Sequence, residues 1–159
     1  MNVFVLDEDP VLSANLCDKH IVKMPLETAQ ILCTVARSKG HNAPYKSTHI
    51  KHPVVIWTTK SSANWSWLCE HGIALCLEYT KRYYKTHKCE SIIRQMKLDT
   101  HKIWGDNIHY TKHDPFVQCM PDKYKKDNPI EAYRSYYIGD KAPFAKWKSP
   151  GKKPDWFIL

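Results

Sequence analysis

The chain has 159 residues, 43% of them apolar and 25% charged. That is enough for one domain with its own core, residues 1–159, and it excludes a disordered polymer. The formal net charge is +8 but uneven. Residues 1–30 carry five acids against two lysines, 81–112 eight bases against three acids, and 122–155 nine bases against five acids. A basic body with an acidic corner suits a polyanion partner, although solubility alone would also account for it. No segment approaches about 18 uninterrupted apolar residues, so no membrane span is expected. The acidic start MNVFVLDEDP is not a signal peptide. Six cysteines without a C-x-x-C pair form neither a disulfide framework nor a zinc finger, which makes a reducing intracellular compartment the expectation.

In chain order, Val3–Leu6 reads as a short strand or an extended arm. Asp9-Pro10 predicts a helix start, with Asp9 as cap and Pro10 in the first turn. Helical spacing then continues to about Arg37, with Leu12, Leu16, Val22, Leu26, Ile31, Leu32 and Val35 as its core face, and Pro25 predicts a kink or a break. Residues 38–52 form a polar loop. A short helix begins at Pro53 and a longer one, capped by Ser61, runs towards Lys85 with Trp65, Leu68, Ala74, Leu75, Tyr79 and Tyr83 as its seam. Ser91–Leu98 is a further short helix, and 100–127 is irregular. Asn128-Pro129 starts a last helix that Gly139 is expected to end. The fold class is therefore all-α, with Tyr133, Tyr137 and Trp147 assigned to the core.

One stretch concentrates ionisable groups. His20, Lys23, Met24 and Glu27 stand at i, i+3, i+4 and i+7 and share a helical face. Lys23 and Glu27 fit a surface ion pair worth about 0.3–0.5 kcal/mol. They also fit a carboxylate held beside an amine and an imidazole, the parts for proton transfer and imine chemistry. Nine histidines raise the question of a metal, through His41, His49 and His52 or through His109 and His113, yet no H-E-x-x-H motif is present. No metal and no cofactor is expected. The C-terminal third interleaves aromatic rings with lysines, a pattern for phosphate contact and base stacking.

Residues 15–27, NLCDKHIVKMPLE, resemble the first-helix signature of the phage pyrimidine-dimer DNA glycosylases of the endonuclease V type. Leu16, Asp18, His20, Ile21 and Glu27 match that pattern in type and spacing. His52 with the helix ending in EYTKR is similar to a second family segment, and Lys153-Pro154-Asp155-Trp156-Phe157 to its basic-Pro-x-Trp-Tyr tail. The chain also resembles phage and virus proteins that open on VLD-x-DP, which implies a virus- or phage-encoded protein.

The resemblance implies an all-helical domain acting on double-stranded DNA as a base-excision glycosylase with abasic-site lyase activity. A terminal amine attacks C1′ and forms an imine, and Glu27 supports β-elimination. An α-amine titrates near about 7.7–8.0, so part of it is a free nucleophile at neutral pH. Asn2 is large enough for Met1 to be retained, and Met1 offers that amine, with Lys23 the substitute if Met1 does not reach. His20 is expected to orient the site or touch a phosphate. His52, Lys81, Arg82, Lys153, Trp156 and Phe157 are expected to contact DNA. Where the family carries arginines beside its glutamate, this chain has Leu26 and Gln30. That keeps two alternatives open: a non-catalytic nucleic-acid-binding protein on the same scaffold, and an enzyme of that fold acting on a free or modified nucleotide. The oligomeric state and the lesion are not legible.

Overall fold

The computed structural model describes residues 1–159. Six α-helices follow one another: α1 Asp18–Ser38, α2 Pro53–Lys60, α3 Ser62–Tyr83, α4 Glu90–Leu98, α5 Thr100–Trp104 and α6 Pro129–Tyr136. No strand is present, so the all-α expectation holds, and Val3–Leu6 is an extended arm. All four of those side chains are buried, which is why the run is apolar without alternation.

Local chemistry sets several helix starts. His52 precedes α2, where Pro53 has no N–H to satisfy, and the imidazole accepts from the Val54 N–H at 3.1 Å. The Ser61 hydroxyl accepts from Asn64 N–H at the start of α3, and the Asn128 carboxamide accepts from Ile130 and Glu131 before α6. Asp9 also caps, accepting from Val11 and Leu12, but only a short 3-10 turn over Leu12–Ala14 follows. The first helix begins at Asp18 instead. Leu12 accordingly lies outside the core at 64% exposure, and Val22 faces solvent at 47%.

Pro25 neither breaks nor ends α1, which runs unbroken through it. The helix is held by tertiary burial: Ile21, Ile31, Leu32 and Val35 are fully buried, each worth about 1.5–3 kcal/mol. α1 packs on α2, α3 and α4, and α3 packs on α4. Gly72 makes that crossing close, since a Cβ there would stand 2.7 Å from Thr28 Cγ2. Gly139 does not stop the last helix. The chain continues from α6 into a π-helical turn over Tyr137–Lys141, with Tyr124 packed against Gly139 and donating its hydroxyl to Asp140. Arm, helices and C-terminal segment share one hydrophobic core, which includes Tyr133, Tyr137 and Phe157. No helix is long and apolar enough to cross a membrane.

Candidate active site

The arm ends at the middle of α1. The Met1 α-amine lies 3.3 Å from Glu27 Oε1, and the Met1 side chain is only 2% exposed. Met1 as a whole residue is half-buried, so its exposure belongs to the main chain. Asn2 anchors the arm by donating to the Cys119 carbonyl at 2.9 Å, and Val3 and Val5 line a small apolar cavity together with Val54, Trp57, Leu68 and Tyr133. Glu27 is 8% exposed, and its second oxygen, Oε2, is buried with no hydrogen-bond partner in the protein. Lys23, the other amine considered, is exposed and makes no ion pair with Glu27. Of the two amines, Met1 lies beside Glu27 and Lys23 does not.

His20 is one side of the same region. Its ring stacks on Phe4 with centroids 4.4 Å apart and meets Tyr137 and Phe144 edge-on. The Cys17 N–H donates to the Tyr137 hydroxyl at 2.9 Å, so that O–H is free to donate to His20 Nδ1 at 2.8 Å. Burial, followed by the charges of Lys141 and Lys23, pushes the imidazole down to about 4. His20 is therefore neutral at physiological pH. The π turn supplies both Tyr137 and Lys141, and neither had a sequence signal beyond a core aromatic and a tail lysine.

His52, expected on DNA, accepts from the Val54 N–H through Nδ1, and its ring lies within the fields of the terminal amine and Glu27. Burial and the positive terminus lower its affinity for protons.

The other expected contacts divide. Lys81 and Lys153 are exposed. Trp156 is half-buried, with the Arg134 guanidinium 5.2 Å from its ring. Arg82 is a correction. It is fully buried and donates four of its five N–H groups to Leu16 O, Asp18, Asn15 and Glu78, out of reach of a phosphate. Phe157 is a second correction, since it is 2% exposed and packed against Trp147, Trp156 and Tyr137. Leu26 and Gln30 are both half-buried. A groove of about 910 Å³ is lined by Leu12, Leu77, Lys81, Arg134 and Trp156 among others, and none of Met1, His20, Glu27 or His52 lines it. No group of three His, Cys, Asp or Glu side chains is placed to hold a metal.

A family model described as pyrimidine dimer DNA glycosylase matches residues 1–91, more than half of the chain. The match covers the arm and α1 to α3, and hence Met1, His20, Glu27 and His52. No curated protein and no solved structure matches.

Proposed function

The chain belongs to the pyrimidine dimer DNA glycosylase family, and from that premise we propose that it excises a damaged base and cuts the abasic strand, with Met1 as nucleophile. The observation that carries this reading is the α-amine 3.3 Å from a carboxylate that is itself almost wholly buried. A buried carboxylate beside an amine is the pair that imine chemistry needs: one group attacks, the other moves protons.

In this mechanism Glu27 Oε1 takes a proton from the amine, and the Met1 nitrogen attacks C1′. The glycosidic bond breaks, and the base leaves with the bonding pair and takes up a proton. Opening of the sugar ring leaves an imine between Met1 and C1′. Loss of a C2′ proton then expels the 3′ phosphate by β-elimination, and water releases the sugar and restores the amine. Glu27 Oε2 has no protein partner, so the carboxylate spends no other hydrogen bond inside the protein and stays available to move protons at the amine. His20, held neutral, acts as a hydrogen-bond donor to a phosphate or the sugar. Lys23 and Lys141 flank it and stand in for the arginines that Leu26 and Gln30 replace, while exposed Lys81 and Lys153 contact backbone further off.

Borohydride trapping on a duplex with one abasic site tests the proposal. The wild type is expected to cross-link through Met1 and to cut, and Glu27→Gln to cut at least ~100-fold more slowly. A wild type that binds the duplex without ever cross-linking overturns the imine mechanism and favours the binding-protein alternative.

A further inference from the structure

His20 uses one ring nitrogen inside the protein and keeps the other open. Nδ1 is hydrogen-bonded to the Tyr137 hydroxyl at 2.8 Å. Nε2 has no partner in the protein, yet the enclosed side-chain atoms without a partner are Glu27 Oε2 and Trp104 Nε1. Nε2 therefore opens outward from a residue that is 8% exposed overall. The Tyr137 hydroxyl is committed on its other side, where it accepts from the Cys17 N–H at 2.9 Å. We propose that Tyr137 is a positioning residue for His20: its hydroxyl donates to Nδ1, which sets the ring proton on Nε2 and presents that N–H to the bound substrate. This inference rests on the function proposed above, and Tyr137 lies outside the residues 1–91 that the family model matches.

The direction of the Tyr137–His20 bond follows from counting protons. A phenol carries one O–H and two lone pairs. One lone pair takes the Cys17 N–H, and Tyr137 is 0% exposed, so no solvent receives its proton. A neutral ring protonated at Nδ1 would donate to the hydroxyl and leave the phenolic proton buried without an acceptor, which folded proteins avoid. An accepting Nδ1 satisfies the Cys17 N–H, the hydroxyl and the ring together. The imidazole has little room to turn away, since it stacks on Phe4 with centroids 4.4 Å apart and has Phe144 edge-on at 5.7 Å. Lys141 and Lys23 act on His20 through their charge, but an ammonium accepts no hydrogen bond and cannot compete for the ring proton. The Tyr137 ring has a separate contact, edge-on to Phe4 of the arm at 5.4 Å, that does not involve the hydroxyl.

Tyr137→Phe removes the hydroxyl and keeps the ring against Phe4. The first measurement needs no DNA: heteronuclear NMR of isotope-labelled histidine rings at neutral pH, where the nitrogen shifts distinguish the two tautomers. Wild-type His20 is expected to carry its proton on Nε2 alone, and Tyr137→Phe to show a mixture. A wild-type Nδ1–H overturns the inference, and so does an unchanged pattern in Tyr137→Phe. The second measurement is the single-turnover rate of borohydride trapping on an abasic duplex, with melting temperature and duplex affinity taken alongside. Tyr137→Phe is expected to bind the duplex as the wild type does yet trap about 10- to 100-fold more slowly at saturating protein. In a His20→Ala background the same change is expected to slow trapping no further, because the hydroxyl acts through His20. Equal slowing in both backgrounds overturns the inference and leaves the proposed function standing. A wild type that never traps sinks the enzymatic reading, while the NMR pattern still decides whether Tyr137 sets the His20 ring.

Discussion

His20 and His71 are both held down to about 4, by burial first in each case. The His71 ring bonds the Pro10 carbonyl at 3.1 Å, and the His20 ring is hydrogen-bonded to the Tyr137 hydroxyl at 2.8 Å. Their folded values lie below the 6.5 of an unfolded histidine, so folding favours the neutral form. Their contribution is fully present above pH 6.5 and is lost as pH falls towards 4. Stability is expected to drop by about 1.4 kcal/mol per pH unit for each histidine in that window. Urea midpoints at pH 7 and pH 5 check this, and His71→Leu is expected to flatten the dependence. The residue scale is also where sequence reading stopped short. His20 and Glu27 were legible because seven residues are two turns of helix. The choice between Met1 and Lys23 was not, because it depends on where a remote arm docks.

At the scale of elements, Arg82 joins the C-terminal end of α3 to the segment before α1. It is fully buried, and its guanidinium bonds Leu16 O, Asp18, Asn15 and Glu78 at 2.8–3.0 Å. Removing it strands Asp18 without its cation and leaves Glu78 only Lys81 at 3.9 Å, so Arg82→Met is expected to cost about 3–5 kcal/mol, measured by urea unfolding. The same variant is expected to leave the salt dependence of DNA binding unchanged, since no phosphate can reach this side chain. An arginine at the end of an aromatic helix reads as an exposed base, and only the packed structure reveals four acceptors around it. Helix starts at Pro53, Ser62 and Pro129 were legible because a cap and a proline act within one turn. The start expected at Asp9 failed because the cap was real but the turn after it does not propagate. The π turn after Tyr136 was invisible for a related reason, as Gly139 reads as a stop until Tyr124 is packed on it.

Across the whole molecule the charge is +8, and the lysines beside His20 have no acidic partner within ion-pair distance. Binding to duplex DNA is expected to weaken by roughly 100-fold between about 50 and 200 mM salt, as four phosphate contacts require. Fluorescence anisotropy on an abasic duplex measures it, and a flat salt response would remove the electrostatic face from the account. The all-helical class was legible from periodicity alone, while the seating of the arm was not, because its walls come from every later part of the chain.

That seating has a consequence for the order of events in a cell. Translation makes residues 1–6 first, yet they rest on α2, α3, Phe116, Val117, Cys119 and Tyr133, and Tyr137 arrives later still. Until those are synthesised the leading amine has no carboxylate beside it and trails free from the ribosome. Any enzyme that edits nascent chain ends meets it in that interval, and completion of the fold closes the opportunity.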